Sequence, residues 1–265
     1  MKKLLLLLFI PSLCFGQMTR AEVMSKLNEW RSYEIERIQE IGSSRIITNN
    51  QIGDNISMIN NGIYPYSETI YFFSGNEINS KLLFLSTDAV FEGQLNKKYI
   101  ETEITNPVNY YGFTKLKAEK IVLASSKNNV VLRTAVIYGV GIQSRFTNWI
   151  LSYLRDKKPV DPFVDQFNSP TLVDDLSQAI VKIFKNDISG LFHATGPTCV
   201  NRYDFALMLA KEFALDSNLI KPVTSFEKKQ NAPRPISTCL DSSKLESKIN
   251  FTFRNLKSGI SFIAS

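Results

Sequence analysis

Only three cysteines and one histidine occur in 265 residues, and no Cys-x-x-Cys pair is among them. That scarcity argues against a zinc site of Cys/His type and against a disulfide framework. Cys199 and Cys239 read as two small, semi-buried residues, although an oxidising compartment would permit a bridge between them. His193 sits in an apolar, strand-like segment and reads as a structural residue rather than a catalyst. Like charges never run to five or six in a row, so the net charge of +6 does not mark a nucleic-acid surface. Anionic small substrates suit that mild positive balance. Glycine and proline, at 12 and 10, are too few for a collagen-like or low-complexity chain. No apolar run reaches the ~20 residues a stable membrane-crossing helix needs.

What is present begins with Lys2 and Lys3, the apolar run from Leu4 to Ile10, and Gly16 at a plausible cleavage point. The pattern is that of a secretory signal over residues 1–17. Cys14 follows Leu13, which is bulkier than the residue usual before a lipidated cysteine. Loss of Lys2 and Lys3 with such a leader would lower the net charge to +4. Residues 18–80 form an atypical segment. Met18, Val23, Leu27, Trp30 and Ile35 are spaced for a helix over 18–41, 50–67 is loop-like, and short β-like runs lie at 45–48 and 69–73.

From Lys81 onward strand and helix patterns alternate. Leu82–Leu85 is a wholly apolar run suited to a strand covered on both faces, and Val130–Val136 reads as a second buried strand. Thr114–Ala124 and the stretch around Phe146–Leu154 read as helices. Thr171 with Asp174 resembles a capping box, Gly190–Ala194 is strand-like, and Asn201 with Asp204 predicts a capped helix to about Phe213. This alternation predicts an α/β fold on a parallel sheet.

The chemistry concentrates at Tyr111-Gly112-Phe113-Thr114-Lys115. Four residues apart near a helix start, a phenol and an ammonium share one face. A nearby ammonium stabilises phenolate, lowering a tyrosine pKa from about 10 and making the phenol a usable proton donor or acceptor. A hydroxyl at the end of the preceding strand, Ser86 or Thr87, is placed to align a substrate oxygen.

Ser86-Thr87-Asp88-Ala89-Val90-Phe91-Glu92-Gly93, the run Asn106–Lys120 and Leu132-Arg133-Thr134-Ala135-Val136-Ile137-Tyr138-Gly139 resemble extended short-chain dehydrogenase/reductases. Within these they resemble the dTDP-4-dehydrorhamnose reductase branch, as do Asp165–Thr171, Gly190–Gly196, Arg234-Pro235 and Leu240–Leu245. The resemblance covers about 81–265, with the substrate-binding part mainly in 141–265. It implies an incomplete Rossmann-type, doubly wound parallel sheet with a small C-terminal α/β substrate region. It also implies NAD(P)H-dependent reduction of a nucleotide-linked 4-keto-6-deoxy sugar. Thr87, Tyr111 and Lys115 would be catalytic. Ser86, Tyr111 and Lys115 would meet NADPH or NADH, and Asp165, Gln166 and Arg234 would meet the nucleotide sugar.

Two features depart from that pattern. No Gly-x-x-Gly-x-x-Gly turn precedes Lys81, where the glycines are Gly16, Gly42, Gly53, Gly62 and Gly75. The adenosine-binding half is therefore expected to be replaced or lost. Thr134-Ala135-Val136 stands where the branch carries a Thr-Ser-Trp-like run, which favours a broader sugar-nucleotide specificity. Two other functions remain open: a non-catalytic binding module resembling the regulatory subunit of methionine adenosyltransferase, or a truncated or fused inactive reductase. The leader predicts export to the periplasm, the family a cytoplasmic protein. An incomplete sheet would leave an edge that invites homodimerisation. Partners are otherwise expected to be a nucleotide sugar, with no nucleic acid and no stable membrane span.

Overall fold

The computed structural model describes Leu4–Leu6 and residues 81–139, 144–228, 230 and 232–265. The helix expected over 18–41, the loop at 50–67 and the β-like runs at 45–48 and 69–73 lie outside the described residues, as does the rest of the leader-like segment.

β1 (Leu4–Leu6) is a strand of the main sheet. Three leucines of the run read as the apolar part of a leader thus pair in parallel with β2 (Lys81–Thr87), Leu4 opposite Lys81. An unbroken leucine run is also what a strand covered on both faces carries, so the pattern alone does not separate the two readings. β2 ends in a single 3-10 turn, Asp88–Val90, and the chain then reaches α1 (Tyr110–Ser125). That helix is the crossover that makes β3 (Val130–Thr134) parallel to β2, with Leu83 opposite Val130. β4 (Ile137–Tyr138), α2 (Arg145–Arg155), β5 (Phe167–Asn168), β6 (Thr171–Leu172) and α3 (Val173–Lys185) follow. β7 (Gly190–His193) joins the sheet beside β3, so its order is β1-β2-β3-β7, all parallel. The chain then forms β8 (Val200–Asn201), α4 (Arg202–Glu212), α5 (Ser243–Ile249) and α6 (Leu256–Ala264). This is an α/β fold of Rossmann type. Among the described residues no helix is long and apolar enough to cross a membrane.

The two faces of the sheet are chemically unlike, because alternate strand residues point to opposite sides. Leu83, Val130, Leu132 and Phe192 pack against Leu176, Ala179 and Ile183 of α3 and Leu245 and Ile249 of α5. Burying one such side chain contributes about 1.5–3 kcal/mol. The other face meets α1, whose inward stripe is largely polar: Lys115, Glu119 and Val122 are buried there. A second core holds the C-terminal part together, with Tyr138, Ile150, Leu154, Phe205, Leu209 and Ile260 at its centre.

Several local expectations meet a different outcome. Thr171 does not cap α3; it lies in β6, and its hydroxyl donates to the Ala135 carbonyl oxygen at 2.9 Å. Leu172 is the residue before α3 and supplies no side-chain cap. β3 stops at Thr134 rather than at Val136, because Val136 has φ of 39°, a left-handed conformation costly for a β-branched side chain. Cys199 and Cys239 are not two separate thiols but a disulfide, with Cα atoms 5.5 Å apart. Asn201 caps α4 as expected, its Oδ1 accepting from the Asp204 amide at 2.7 Å.

His193 is fully buried in β7, its Nδ1 3.1 Å from the Tyr99 carbonyl oxygen. Burial, reinforced by the Arg133 charge, pushes its pKa down to about 3. The unfolded chain takes up a proton near pH 6.5 that the folded chain refuses, so stability is lost as pH falls below that value. At about pH 5 the loss from this group is about 2 kcal/mol. Urea denaturation at about pH 7.5 and about pH 5 checks it: His193→Gln should show the smaller acid loss by about that amount. Equal losses in both proteins would exclude His193 as the cause.

Candidate active-site cleft

In parallel α/β sheets ligands bind beyond the carboxyl ends of the strands. β2 ends there with Ser86 and Thr87, which alternation sends to opposite sides. Ser86 Oγ donates to Glu119 Oε1 at 2.5 Å. Glu119 also accepts Arg133 Nε at 2.9 Å and Nη2 at 2.7 Å, a two-pronged ion pair with both side chains almost wholly buried. Thr87 instead begins the 3-10 turn. Its Oγ1 accepts from the Ala89 amide and donates to Asp88 Oδ1, each at 3.1 Å.

α1 brings Tyr111 to the same place. Asn109 caps the helix by accepting from the Gly112 amide at 2.8 Å, while its Nδ2 donates to the Pro233 carbonyl oxygen at 3.0 Å. The helix start is thereby tied both to itself and to the segment carrying Arg234. Gly112 explains the Tyr-Gly pair: a Cβ there would collide with the Ala89 carbonyl oxygen and lie 2.9 Å from Pro107 Cβ. One turn on, Lys115 is 3% exposed, its Nζ donating to the Leu85 carbonyl oxygen at 3.3 Å and lying 4.6 Å from the Phe84 ring centre.

Thr87 and Tyr111 line a cleft of about 420 Å³. Its apolar wall includes Val136, Phe146 and Trp149. Its polar wall carries Asp88, Arg202 and Arg234. Asp88 is the centre of that wall. Its carboxylate accepts from Thr87, from Asn168 Nδ2 at 2.6 Å and from Thr238 Oγ1, and thus holds three separate segments. Burial raises its pKa; those hydrogen bonds and the Arg202 charge oppose the rise. Arg202, the first residue of α4, lies 5.1 Å from the Phe146 ring centre. Burial, with a smaller push from Arg234, brings its pKa down to about 10 against the pull of Asp88, so it stays charged near neutrality.

Of the residues expected from the sequence, Thr87, Tyr111, Gln166 and Arg234 meet on this cleft. Lys115 sits behind it against β2, and Ser86 is engaged with Glu119 on the α1 face of the sheet. Asp165 braces a neighbouring turn, its Oδ2 accepting from the Ser225 amide at 2.8 Å and Oγ at 2.5 Å. Gln166 donates to Gln230 Oε1 at 2.9 Å, and Asp161 pairs with Lys228. Asp161, Asp165 and Gln166 thus clasp Lys228, Ser225 and Gln230. Sequence reasoning missed Asp88 and Arg202 as site residues. Asp88 lay within the quoted Ser-Thr-Asp motif, and Arg202 directly follows a recognisable cap; neither position by itself signals a cleft. No cluster of potential metal ligands exists among the described residues.

Comparison with known proteins places this geometry. The family described as RmlD substrate binding domain matches residues 74–264. A dTDP-4-dehydrorhamnose reductase of Aggregatibacter actinomycetemcomitans is 30% identical over 179 residues, covering 63% of this chain and 60% of that protein. The methionine adenosyltransferase 2 subunit beta of Bos taurus is 33% identical over 181 residues, covering 64% of this chain and 52% of that protein. The chain therefore spans only part of the length of the curated relatives it matches. A solved dTDP-4-dehydrorhamnose reductase of Clostridium acetobutylicum superposes with a TM-score of 0.66 at 27% identity, covering 72% of this chain and 67% of that one. A Bacillus anthracis dTDP-4-dehydrorhamnose reductase in complex with NADP shares the fold, with a TM-score of 0.68 at 24% identity and coverage of 72% and 67%. The parallel α/β sheet agrees with these matches: the chain belongs to the RmlD substrate binding domain family, in the reductase-like branch of the extended short-chain dehydrogenase/reductases.

Proposed function

We propose that the cleft reduces the keto group of a nucleotide-linked 4-keto-6-deoxy sugar. The observation that carries this reading is that Thr87 and Tyr111, from different elements, line one cleft together with Arg202 and Arg234. Two hydroxyls suit a ketone and its alcohol, and two guanidiniums suit a diphosphate. The relatives named as dTDP-4-dehydrorhamnose reductases support the same substrate class.

The nicotinamide end of NADPH or NADH fits the residues present: the buried Lys115 ammonium and the Tyr111 phenol lie one helical turn apart at the carboxyl end of β2. The pyrophosphate end has no matching Gly-rich turn in residues 1–80. When bound, the cofactor supplies a hydride to C4. Tyr111 Oη gives its proton to the C4 oxygen, and the Lys115 ammonium offsets the phenolate left behind. Thr87 spends its proton on Asp88 in the structure; rotation about Cβ–Oγ1 turns that proton to the ketone oxygen. Asn168 and Thr238, which donate to the other carboxylate oxygen, Oδ2, keep Asp88 anchored meanwhile. Gln166 and Arg234 hold the nucleotide, and Asp165 keeps the clasped turn in place.

Calorimetric titration with dTDP and with NADPH tests the reading. Arg234 is exposed, so Arg234→Ala should leave the fold intact and weaken dTDP about 10-fold or more, the worth of a charged hydrogen bond. Lys115→Ala should weaken NADPH. A folded chain that binds dTDP but ignores nicotinamide nucleotides would favour a non-catalytic binding module. That second reading has its own support in the similarity to methionine adenosyltransferase 2 subunit beta and in the lack of the Gly-rich turn.

A further inference from the structure

The Cys199–Cys239 bridge joins the two segments that build the polar wall of the cleft. Asn201, two residues after Cys199, caps the helix that begins with Arg202. Cys239 follows Thr238, whose hydroxyl holds Asp88. Both segments flank β5: Val200 pairs with Asn168, and Phe167 is bridged to Ser237. Carried on to Ser169, one residue past the Val200 pair and two past the Ser237 bridge, both registers bring a cysteine level with it, where the disulfide closes the two flanks together. Cys239 is fully buried, whereas Cys199 is exposed. Thiol–disulfide exchange requires access of a thiolate to one of the two sulfurs, and Cys199 is the end of the bridge that lies at the surface.

We propose that Cys199–Cys239 is a thiol–disulfide exchange site that latches the polar wall of the cleft, so that a dithiol reductant loosens the Arg202 and Asp88 sides from each other. A thiolate of the reductant bonds to Cys199 Sγ, the Cys199–Cys239 bond breaks, and Cys239 leaves as a thiolate and takes up a proton. The second thiol of the reductant then displaces Cys199, which leaves as a thiolate and is protonated. The reductant becomes a disulfide as two electrons and two protons pass to the protein. Oxidising compartments close the latch and reducing ones open it. Its effect on ligand binding rests on the nucleotide reading of the cleft; the latch itself does not.

The test uses the full chain, oxidised and then treated with dithiothreitol. Alkylation of the unfolded, unreduced protein should spare Cys199 and Cys239 and label them after reduction. Hydrogen exchange should then be followed at the amides of Thr238 and Leu240, which donate to the Phe167 carbonyl oxygen and to Ser169 Oγ. Reduction is expected to speed their exchange about tenfold or more, as for a segment released to local opening. The Cys199→Ser/Cys239→Ser protein should exchange at the faster rate with or without reductant, and Cys14→Ser should respond like the parent. Labelling of both cysteines without reductant, or exchange unchanged on reduction, would overturn the proposal. In parallel, dTDP should bind more weakly to the reduced chain; equal affinity in both states would refute the coupling to the ligand. Binding of dTDP in neither state would count against the nucleotide reading, while the exchange rates still decide the latch.

Discussion

Tyr111→Phe is expected to lower kcat for reduction of a nucleotide-linked 4-keto-6-deoxy sugar by about 10²- to 10⁴-fold, the usual worth of a positioned proton donor. The change removes one oxygen and keeps the ring, so the packing of α1 against the Asp88–Val90 turn is undisturbed. That packing depends on the missing side chain of Gly112 and on the Asn109 cap, both of which the change leaves in place. Affinity for dTDP should stay within about twofold, because in the proposed reading the diphosphate is held by Arg202 and Arg234, which the change leaves in place. Steady-state kinetics and dTDP titration on the same preparation separate the two effects. A parallel loss of kcat and of dTDP affinity would mean that the phenol shapes the cleft rather than donating a proton.

The second large effect concerns stability. Arg133→Leu should destabilise the fold by about 3–5 kcal/mol, because it strands the Glu119 carboxylate in the interior. Glu119 is 1% exposed, and once Arg133 is gone the Ser86 hydroxyl is left to serve a fully buried carboxylate. The converse matters equally. Replacing Ser86, Glu119 and Arg133 together by Ala, Leu and Met removes charge and partner at once and should cost less than the single change. Urea denaturation midpoints at constant m compare them. A loss below about 1 kcal/mol for Arg133→Leu would show that water or a neighbour already satisfies Glu119.

The elements whose burial repeats along the chain were legible beforehand. Leu82–Leu85 and Val130–Leu132 are covered on both faces and are observed as strands, and the Asn201 cap has its sequence signature three residues from Asp204. Tyr111 and Thr87 were legible because a motif carries them, and the structure does place both on one cleft. Thr171 misled because a Thr-x-x-Asp spacing also occurs where the hydroxyl serves a neighbouring strand, here the Ala135 carbonyl. Ser86 and Thr87 are adjacent in the chain but face opposite ways, so a motif containing both does not say which reaches a ligand. Asp88 and Arg202 needed the fold: 114 positions separate them, and only the return of β5 and β8 to the end of β2 brings them to one wall. The sequence allowed a bridge between the two cysteines but did not favour it, since a 40-residue separation carries no spacing signal.

The most direct test of the site is a crystal structure of the chain with a dTDP-linked 4-keto-6-deoxy sugar or its alcohol product. Both guanidiniums, Arg202 and Arg234, should then reach the diphosphate, and the oxygen on C4 should lie within hydrogen-bonding distance of Thr87 Oγ1 and Tyr111 Oη. A sugar turned toward Phe146 and Trp149, with its C4 oxygen away from both hydroxyls, would contradict the assignment.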